Sequence, residues 1–175
     1  MDRADLKLSV PDPSLVVLIG PSGSGKSTFA AKHFRPTEVI SSDECRALVS
    51  DDENDQAATP GAFRVVHTIA RERLRMGRLT VVDATNVSAE SRRPLITLAR
   101  KRGVPVVAIM LDLPEEVCRQ RNRGRRQRTL PDDVIRRQRD EMKRSTSGLG
   151  SEGFQHVYVL GSIEAVEAAV IVRRP

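Results

Sequence analysis

The stretch LVVLIGPSGSGKST, residues 15–28, decides the fold of this chain. It begins with an apolar run typical of a β-strand buried on both faces, and residues 20–27 then complete the pattern G-x-x-x-x-G-K-[S/T]. A strand that enters a helix through such a glycine-rich loop presents backbone N–H groups and a helix N-terminus to an anion. The stretch therefore predicts a phosphate-binding loop at the edge of a parallel α/β sheet.

The complete motif favours a nucleoside triphosphate site over an ordinary glycine-rich turn. Glycine lets the backbone wrap closely around an anion, and we expect Lys26 to reach the β- and γ-phosphates while the Ser27 hydroxyl ligates Mg²⁺. The residues predicted to bind the nucleotide are Gly20, Ser22, Gly23, Ser24, Gly25, Lys26, Ser27 and Thr28. The expected phosphate donor is ATP or another nucleoside triphosphate, and the expected metal is Mg²⁺.

Further strand and helix signals extend this unit into a single domain spanning residues 1–175. Apolar runs at 80–83, 104–111 and 156–160, and a weaker run at 38–40, predict strands. Helical patterns follow residue 25, cover residues 43–50, 60–76, 88–101 and 114–122, and resume after residue 131. This alternation predicts a P-loop NTPase-type α/β sandwich, in which helices flank a central parallel sheet.

Charge and composition narrow the class of protein. The formal net charge is +6 and the isoelectric point is near 10.0, which is typical of proteins with phosphate-rich partners. Cys45 and Cys118 lack the spacing of a zinc or redox site, and no apolar run is long enough to be a signal core or membrane span. We therefore expect a cytoplasmic protein with reduced thiols. The guanine-reading motif N-K-x-D and the switch motif D-x-x-G of GTPases do not occur in the sequence.

Asp43 and Arg46 follow the weak strand and should lie at the carboxyl edge of the sheet, where open α/β folds bind ligands. A kinase needs a carboxylate to orient the attacking hydroxyl and accept its proton, and Asp43 is the candidate base. Arg46 lies one helical turn further on, where its guanidinium can hold the acceptor. The alternative is that Ser41 and Glu44 form a capping box and Asp43 only favours the helix dipole.

Asp83 ends the next predicted strand, in the position typical of a carboxylate that holds the Mg²⁺ shell, directly or through water. Thr85 and Asn86 follow it, and two roles are open for them: hydrogen bonds to phosphate or acceptor, or the start of a turn. Asn86 is included among the predicted nucleotide-binding residues. Asp112, after the fourth run, is interpreted as a cap for the helix that begins at Pro114.

Six of the ten residues at positions 119–128 are arginines. A run of charge is commonly a solvated face, but the planar guanidinium suits phosphate, and Gly124 within the run is a potential hinge. We therefore predict an Arg-rich helical lid over residues 119–145, whose last helix is a surface element or a mobile flap. Arg128 is expected to face solvent.

The segments IGPSGSGKSTFA, VISSDECR, VVDATN and CRQRNRGRR occur in this order along the chain. Together they resemble the 5′-OH polynucleotide kinase module of bacterial polynucleotide kinase-phosphatases, and the likeness extends to SDDENDQ and the late segment EGFQHVYVL. The resemblance implies Lys26 and Ser27 at the phosphates, Asp43 as general base, Arg46 on the acceptor side, and Arg121 and Arg125 as lid residues on the donor. It also implies that this module is the N-terminal part of a longer RNA-repair protein with phosphatase and ligase domains.

The predicted function is transfer of the γ-phosphate of ATP, or another nucleoside triphosphate, to the 5′-OH end of single-stranded RNA or DNA. A kinase of a small metabolite is the alternative enzyme, and a non-catalytic, nucleotide-dependent RNA-binding module is the alternative of another class. The sequence leaves open whether the chain is a monomer or a homodimer.

Overall fold

The chain, described here by a computed structural model over residues 6–126 and 129–175, is built around a five-stranded parallel sheet. The strands are β1 (Leu6–Pro11), β2 (Leu15–Ile19), β3 (Val39–Ser41), β4 (Thr80–Asp83), β5 (Val106–Leu111), β6 (His156–Leu160) and β7 (Ala169–Arg174). The helices are α1 (Lys26–His33), α2 (Ser42–Ser50), α3 (Thr59–Arg75), α4 (Ala89–Lys101), α5 (Glu115–Arg123), α6 (Asp132–Thr146) and α7 (Ile163–Ala168).

The central sheet has the order β3-β4-β2-β5-β6, and every neighbouring pair is parallel. Its central strand β2 alternates between two hydrophobic clusters: Leu15, Val17 and Ile19 pack into one, and Val16 and Leu18 pack into the other. Both faces of the sheet are therefore covered, which explains the unbroken apolar run in the sequence. The predicted α/β sandwich with helices around a parallel sheet is confirmed.

A second sheet, of two parallel strands, was not predicted. It pairs β1 with β7, so that Leu8 lies opposite Ile171. Tyr158 on β6 connects this sheet to the central sheet. Its hydroxyl accepts from the Ser9 N–H and donates to the Ser9 carbonyl, each at 2.9 Å. The pairing joins residues more than 150 positions apart, and neither short strand carries a pattern that identifies its partner.

One of two predicted helix caps is absent from the structure. Asp112 does not cap α5: the residue before that helix is Pro114, without a side-chain cap, and Asp112 instead pairs with Arg139 of α6 at 3.5 Å. The predicted cap at the start of α2 does form, because the Ser41 hydroxyl accepts from the Glu44 N–H at 3.3 Å.

Helix α6 is better anchored than the surface element or mobile flap predicted from its thin apolar stripe. Its two apolar anchors, Ile135 and Met142, are 0% and 1% exposed. The side chain of Asn122 on α5 makes two hydrogen bonds to the backbone of Leu130. It donates to the Leu130 carbonyl at 2.7 Å and accepts from the Leu130 N–H at 3.1 Å. The segment before α6 is thus held to the end of α5.

A buried arginine ties the end of α6 to the rest of the domain. Arg92 on α4 is 0% exposed and donates to both carboxylate oxygens of Glu152, at 2.8 and 2.5 Å. It also donates to the Asn86 carbonyl at 2.8 Å and to the Ser145 hydroxyl at 3.3 Å. One guanidinium therefore connects α4, the loop after β4 and the residues that follow α6. Among the described residues, no helix is both long and apolar enough to cross a membrane.

Replacing Arg92 with Met should lower the free energy of unfolding by about 3–5 kcal/mol, because it leaves Glu152 and two buried oxygens without their donor. Urea unfolding of the variant measures the change. The control is Arg93→Met on the exposed next position of α4, expected to change stability by less than about 0.5 kcal/mol. Equal losses in the two variants would contradict the anchoring role.

Candidate functional site

A polar cleft of about 200 Å³ lies where β2, β3 and β4 end, as predicted for the carboxyl edge of the sheet. It is lined by Ser22, Lys26, Ser27, Ser42, Asp43, Arg46, Gln56, Thr59, Phe63, Asp83, Ala84, Thr85, Arg125 and Gln138. The cleft brings together side chains from the glycine-rich loop, α2, the end of β4 and the Arg-rich segment. These are the four regions that the sequence analysis singled out.

The loop at residues 20–25 has the tight backbone that the motif predicts. Gly23 and Gly25 have φ angles of 82° and 93°, in the left-handed region that favours glycine. A Cβ added at Gly23 would lie 2.2 Å from the Cys118 carbonyl oxygen, so no side chain fits there. The Gly20 N–H donates to the Thr85 carbonyl at 2.9 Å, which fastens the loop to the segment after β4.

Lys26 lies at the start of α1 and is 7% exposed. Its ammonium donates to the Pro21 carbonyl at 3.0 Å, so the side chain folds back across the loop. Burial lowers the pKa of Lys26 to about 8, with Asp83 opposing the shift and Arg125 adding to it. A buried cation that lies across the loop is well placed to bind an anion that enters it.

Ser27 and Asp83 meet across the loop, because the Ser27 hydroxyl donates to an Asp83 carboxylate oxygen at 2.7 Å. A hydroxyl and a carboxylate are the hard oxygen ligands that Mg²⁺ prefers, and Mg²⁺ in phosphate sites uses one or two carboxylates and keeps several waters. Within residues 6–126 and 129–175, no cluster of three or more His, Cys, Asp or Glu side chains forms a metal cage. The pair therefore fits a Mg²⁺ that is shared with bound phosphates.

Asp43 and Arg46 form an ion pair on the first turns of α2. One guanidinium nitrogen of Arg46 lies 2.7 Å from an Asp43 oxygen and also donates to the Glu53 carbonyl at 3.0 Å. A second nitrogen of Arg46 donates to the Thr59 hydroxyl at 3.2 Å. Arg46 is 5% exposed, so these contacts hold it rigidly at the wall of the cleft, next to the acidic loop that contains Glu53.

The described arginines of the 119–128 segment have two kinds of neighbours. Arg121 donates to the Ser24 carbonyl of the loop at 3.3 Å, and Arg125, four residues on, lines the cleft. Arg119 instead pairs with Glu115, and Arg123 pairs with Asp132 at 2.7 Å. The structure thus separates two arginines near the loop from two that make pairs elsewhere. Arg128, predicted to face solvent, lies outside the described residues.

Asn86 is placed differently from its predicted role at the nucleotide. It is 1% exposed, has a φ angle of 49°, and its amide donates to the Leu18 carbonyl of β2 at 2.8 Å. These contacts favour the turn interpretation for Asn86. Its side chain binds β2, the strand that leads into the glycine-rich loop. Its neighbour Thr85 does line the cleft.

Gln138 of α6 is a cleft residue that sequence reasoning missed. Its side-chain oxygen accepts from the Ser22 N–H of the loop at 2.9 Å. A lone glutamine in a highly polar helix carries no sequence signal, and only the packing of α6 beside the loop reveals it. Phe63 of α3 also lines the cleft.

Comparison with known proteins supports the assignment of the loop and the fold. The family model described as AAA domain matches residues 15–149. Transcription factor bHLH140 of Arabidopsis thaliana is 35% identical over 104 residues, which is 59% of this chain but 11% of that protein. This chain thus spans about a tenth of the length of that curated relative.

Solved structures show the same fold. A chain of the Pnkp1/Rnl/Hen1 RNA repair complex matches with a TM-score of 0.68 and 21% identity, over 79% of this chain and 46% of that one. A putative kinase from Chloroflexus aurantiacus matches with a TM-score of 0.59 and 13% identity, over 86% and 88% of the two chains. The APS kinase CysC of Mycobacterium tuberculosis matches with a TM-score of 0.52 and 24% identity, over 66% and 71%.

These similarities agree with the resemblance to polynucleotide kinase modules at the level of the fold. The neighbours named as kinases share the P-loop kinase fold with this chain. The family model covers well over half of the sequence, including the glycine-rich loop, the Asp43–Arg46 pair and the whole Arg-rich segment 119–145. The chain therefore belongs to this AAA domain family and has the fold of a P-loop kinase.

Proposed function

We propose that this chain transfers the γ-phosphate of ATP, or of another nucleoside triphosphate, to the 5′-OH end of single-stranded RNA or DNA. The observation that carries the proposal is the convergence of Lys26, the Ser27–Asp83 pair, the Asp43–Arg46 pair and Arg125 around one cleft. Phosphoryl transfer requires a cation at the phosphates, oxygen ligands for the metal and a carboxylate that accepts the proton of the acceptor.

On the donor side, the loop N–H groups and Lys26 bind the triphosphate and offset the charge that develops on the γ-phosphate. Ser27 and Asp83 would hold Mg²⁺, which neutralises phosphate charge when it is bound. Arg121 contacts the loop from α5, and Arg125, two positions past the end of α5, lines the cleft, so they act as lid residues on the donor. Their planar guanidiniums fit the equatorial oxygens of the transferred group.

On the acceptor side, Asp43 accepts the proton of the 5′-hydroxyl. The hydroxyl oxygen then forms its bond to the γ-phosphorus, the bond from that phosphorus to the β–γ bridging oxygen breaks, and a nucleoside diphosphate leaves. Arg46 orients the Asp43 carboxylate through the 2.7 Å contact and presents its remaining donors to the acceptor.

Three observations support a polynucleotide as the acceptor. The four segments IGPSGSGKSTFA, VISSDECR, VVDATN and CRQRNRGRR resemble polynucleotide kinase modules, the net charge is +6, and one structural neighbour belongs to an RNA repair complex. The same fold occurs in an APS kinase and a sugar kinase, which makes a small metabolite the competing acceptor. We also propose that the chain is a module of a longer repair protein with phosphatase and ligase domains.

The direct test offers labelled ATP and Mg²⁺ to the protein with a 5′-OH oligonucleotide, and separately with adenylyl sulfate, sugars and nucleosides. Label should move to the oligonucleotide, and Lys26→Ala should abolish the transfer because the cation at the γ-phosphate is lost. Transfer to a small metabolite alone would replace the proposal with the metabolite-kinase alternative. Nucleotide-dependent binding of RNA without any transfer would support the non-catalytic alternative.

Asp43→Asn separates chemistry from binding. The amide keeps the size and the Arg46 contact but cannot take the proton, so kcat should fall by about 10²-fold or more while ATP affinity stays near that of the parent. Turnover at saturating ATP, together with ATP binding by calorimetry, checks both parts. Parent-like turnover would return Asp43 to the helix-capping interpretation.

The lid is tested with Arg121→Ala and Arg125→Ala, and with Arg123→Ala as a matched control on the same segment. The first two should each slow transfer by about 10²-fold or more, and Lys should restore only part of it, because an ammonium cannot reproduce the planar fork. Arg123 is exposed and pairs with Asp132 away from the loop, so its loss should leave turnover unchanged. Equal small effects of the three Ala substitutions on kcat at saturating ATP would leave the segment as surface charge.

A further inference from the structure

An outer groove of about 560 Å³ lies between α3 and α4, apart from the cleft. Its apolar floor includes Leu98 and Pro94, and His67 borders it. Its rim is cationic and includes the exposed side chains of Arg71, Arg93 and Lys101. The proposed chemistry of the cleft uses none of these residues.

Helix α3 lines both the cleft and the groove. Thr59 and Phe63 line the cleft, and His67 and Arg71 line the groove. Each residue lies four positions from the next and is therefore its neighbour on the helix surface, so the row runs over a length of about 18 Å while winding about 120° around the helix. The Phe63 and His67 rings are in edge contact, with centroids 6.3 Å apart, where the cleft passes into the groove.

Helix α4 forms the opposite wall with the same spacing. Arg93, Thr97 and Lys101 lie four positions apart and are all exposed, and Arg102 adds a further cation at the end of the groove. The nearby acidic side chains offset little of this charge. Glu72 is shared between Arg71 and Arg75, at 3.3 and 2.9 Å, and Glu90 lies at the first turn of α4.

We propose that this groove binds the backbone phosphates of the acceptor strand on the 3′ side of its 5′-OH end. The inference rests on the proposed function, since it gives the strand a path away from the cleft. Charge complementarity favours a polyanion, and continuity with the cleft favours the nucleic acid strand over an acidic protein segment. Cations spaced along two helices predict recognition of the backbone with little base readout.

The test is the double variant Arg93→Gln/Lys101→Gln, assayed with a 5′-OH dinucleotide and with an oligonucleotide of about 10 nucleotides. The KM for the longer acceptor should rise about 10-fold, while kcat and the KM for the dinucleotide stay unchanged, because only the longer strand reaches the groove. The slope of log affinity against log salt for the longer strand should fall in magnitude by about 1.4, or about 0.7 for each lost phosphate contact.

The matched control is Lys143→Gln/Arg144→Gln, which removes the same charge from exposed positions of α6. Equal effects of the two double variants would overturn the inference, because net charge alone would explain them. The inference would also be overturned if Arg93→Gln/Lys101→Gln left the KM for the longer acceptor unchanged. An equal rise of the KM for the dinucleotide in this variant would overturn it too. Binding of poly-glutamate by the parent without binding of the oligonucleotide would assign the groove to an acidic protein partner instead.

The two proposals fail separately. A parent protein that phosphorylates neither acceptor refutes the proposed function. Fluorescence anisotropy with a labelled oligonucleotide measures binding without phosphate transfer, so it still tests whether the groove binds the strand. Weaker binding by the groove variant than by the α6 control supports the groove, and equal binding overturns it.

Discussion

The parallel pairing of β4 between β3 and β2 is the constraint on which the site depends. In this register Val82 lies opposite both Val17 and Ile40, and Asp83 lies opposite Ser41. Because parallel strands end at the same edge of the sheet, the glycine-rich loop, the start of α2 and Asp83 all open onto one cleft. The hydrogen bond from Ser27 to Asp83 and the tether from Gly20 to Thr85 are consequences of this register.

Helix α6 joins the Arg-rich segment to the glycine-rich loop. Gln138 contacts the Ser22 N–H, Ile135 packs against the cluster that contains Cys118, and the Cys118 carbonyl in turn occupies the space beside Gly23. The Arg92–Glu152 pair then holds the far end of α6 to the loop after β4. Packing around the phosphate loop therefore positions the arginines of α5, and a buried ion pair secures the element that follows them.

The positive charge of the chain is divided between two places with different neighbours. Arg121 contacts the loop and Arg125 lines the cleft, whereas Arg71, Arg93 and Lys101 rim a groove between α3 and α4. The stripe from Thr59 to Arg71 on α3 connects the two regions. A basic isoelectric point shows none of this arrangement, because it sums charges without their positions.

The sequence alone determined the features that depend on neighbours along the chain. Local patterns in the sequence predict the phosphate loop, the apolar strands and the Asp43–Arg46 spacing. The Ser41 cap follows from the alternative interpretation of its segment. The β1–β7 pairing, the turn of Asn86 toward β2 and the contact of Gln138 with Ser22 were decided by the tertiary structure. These contacts join residues 68 to more than 150 positions apart. No local pattern identifies such partners, since only packing and strand register bring them together.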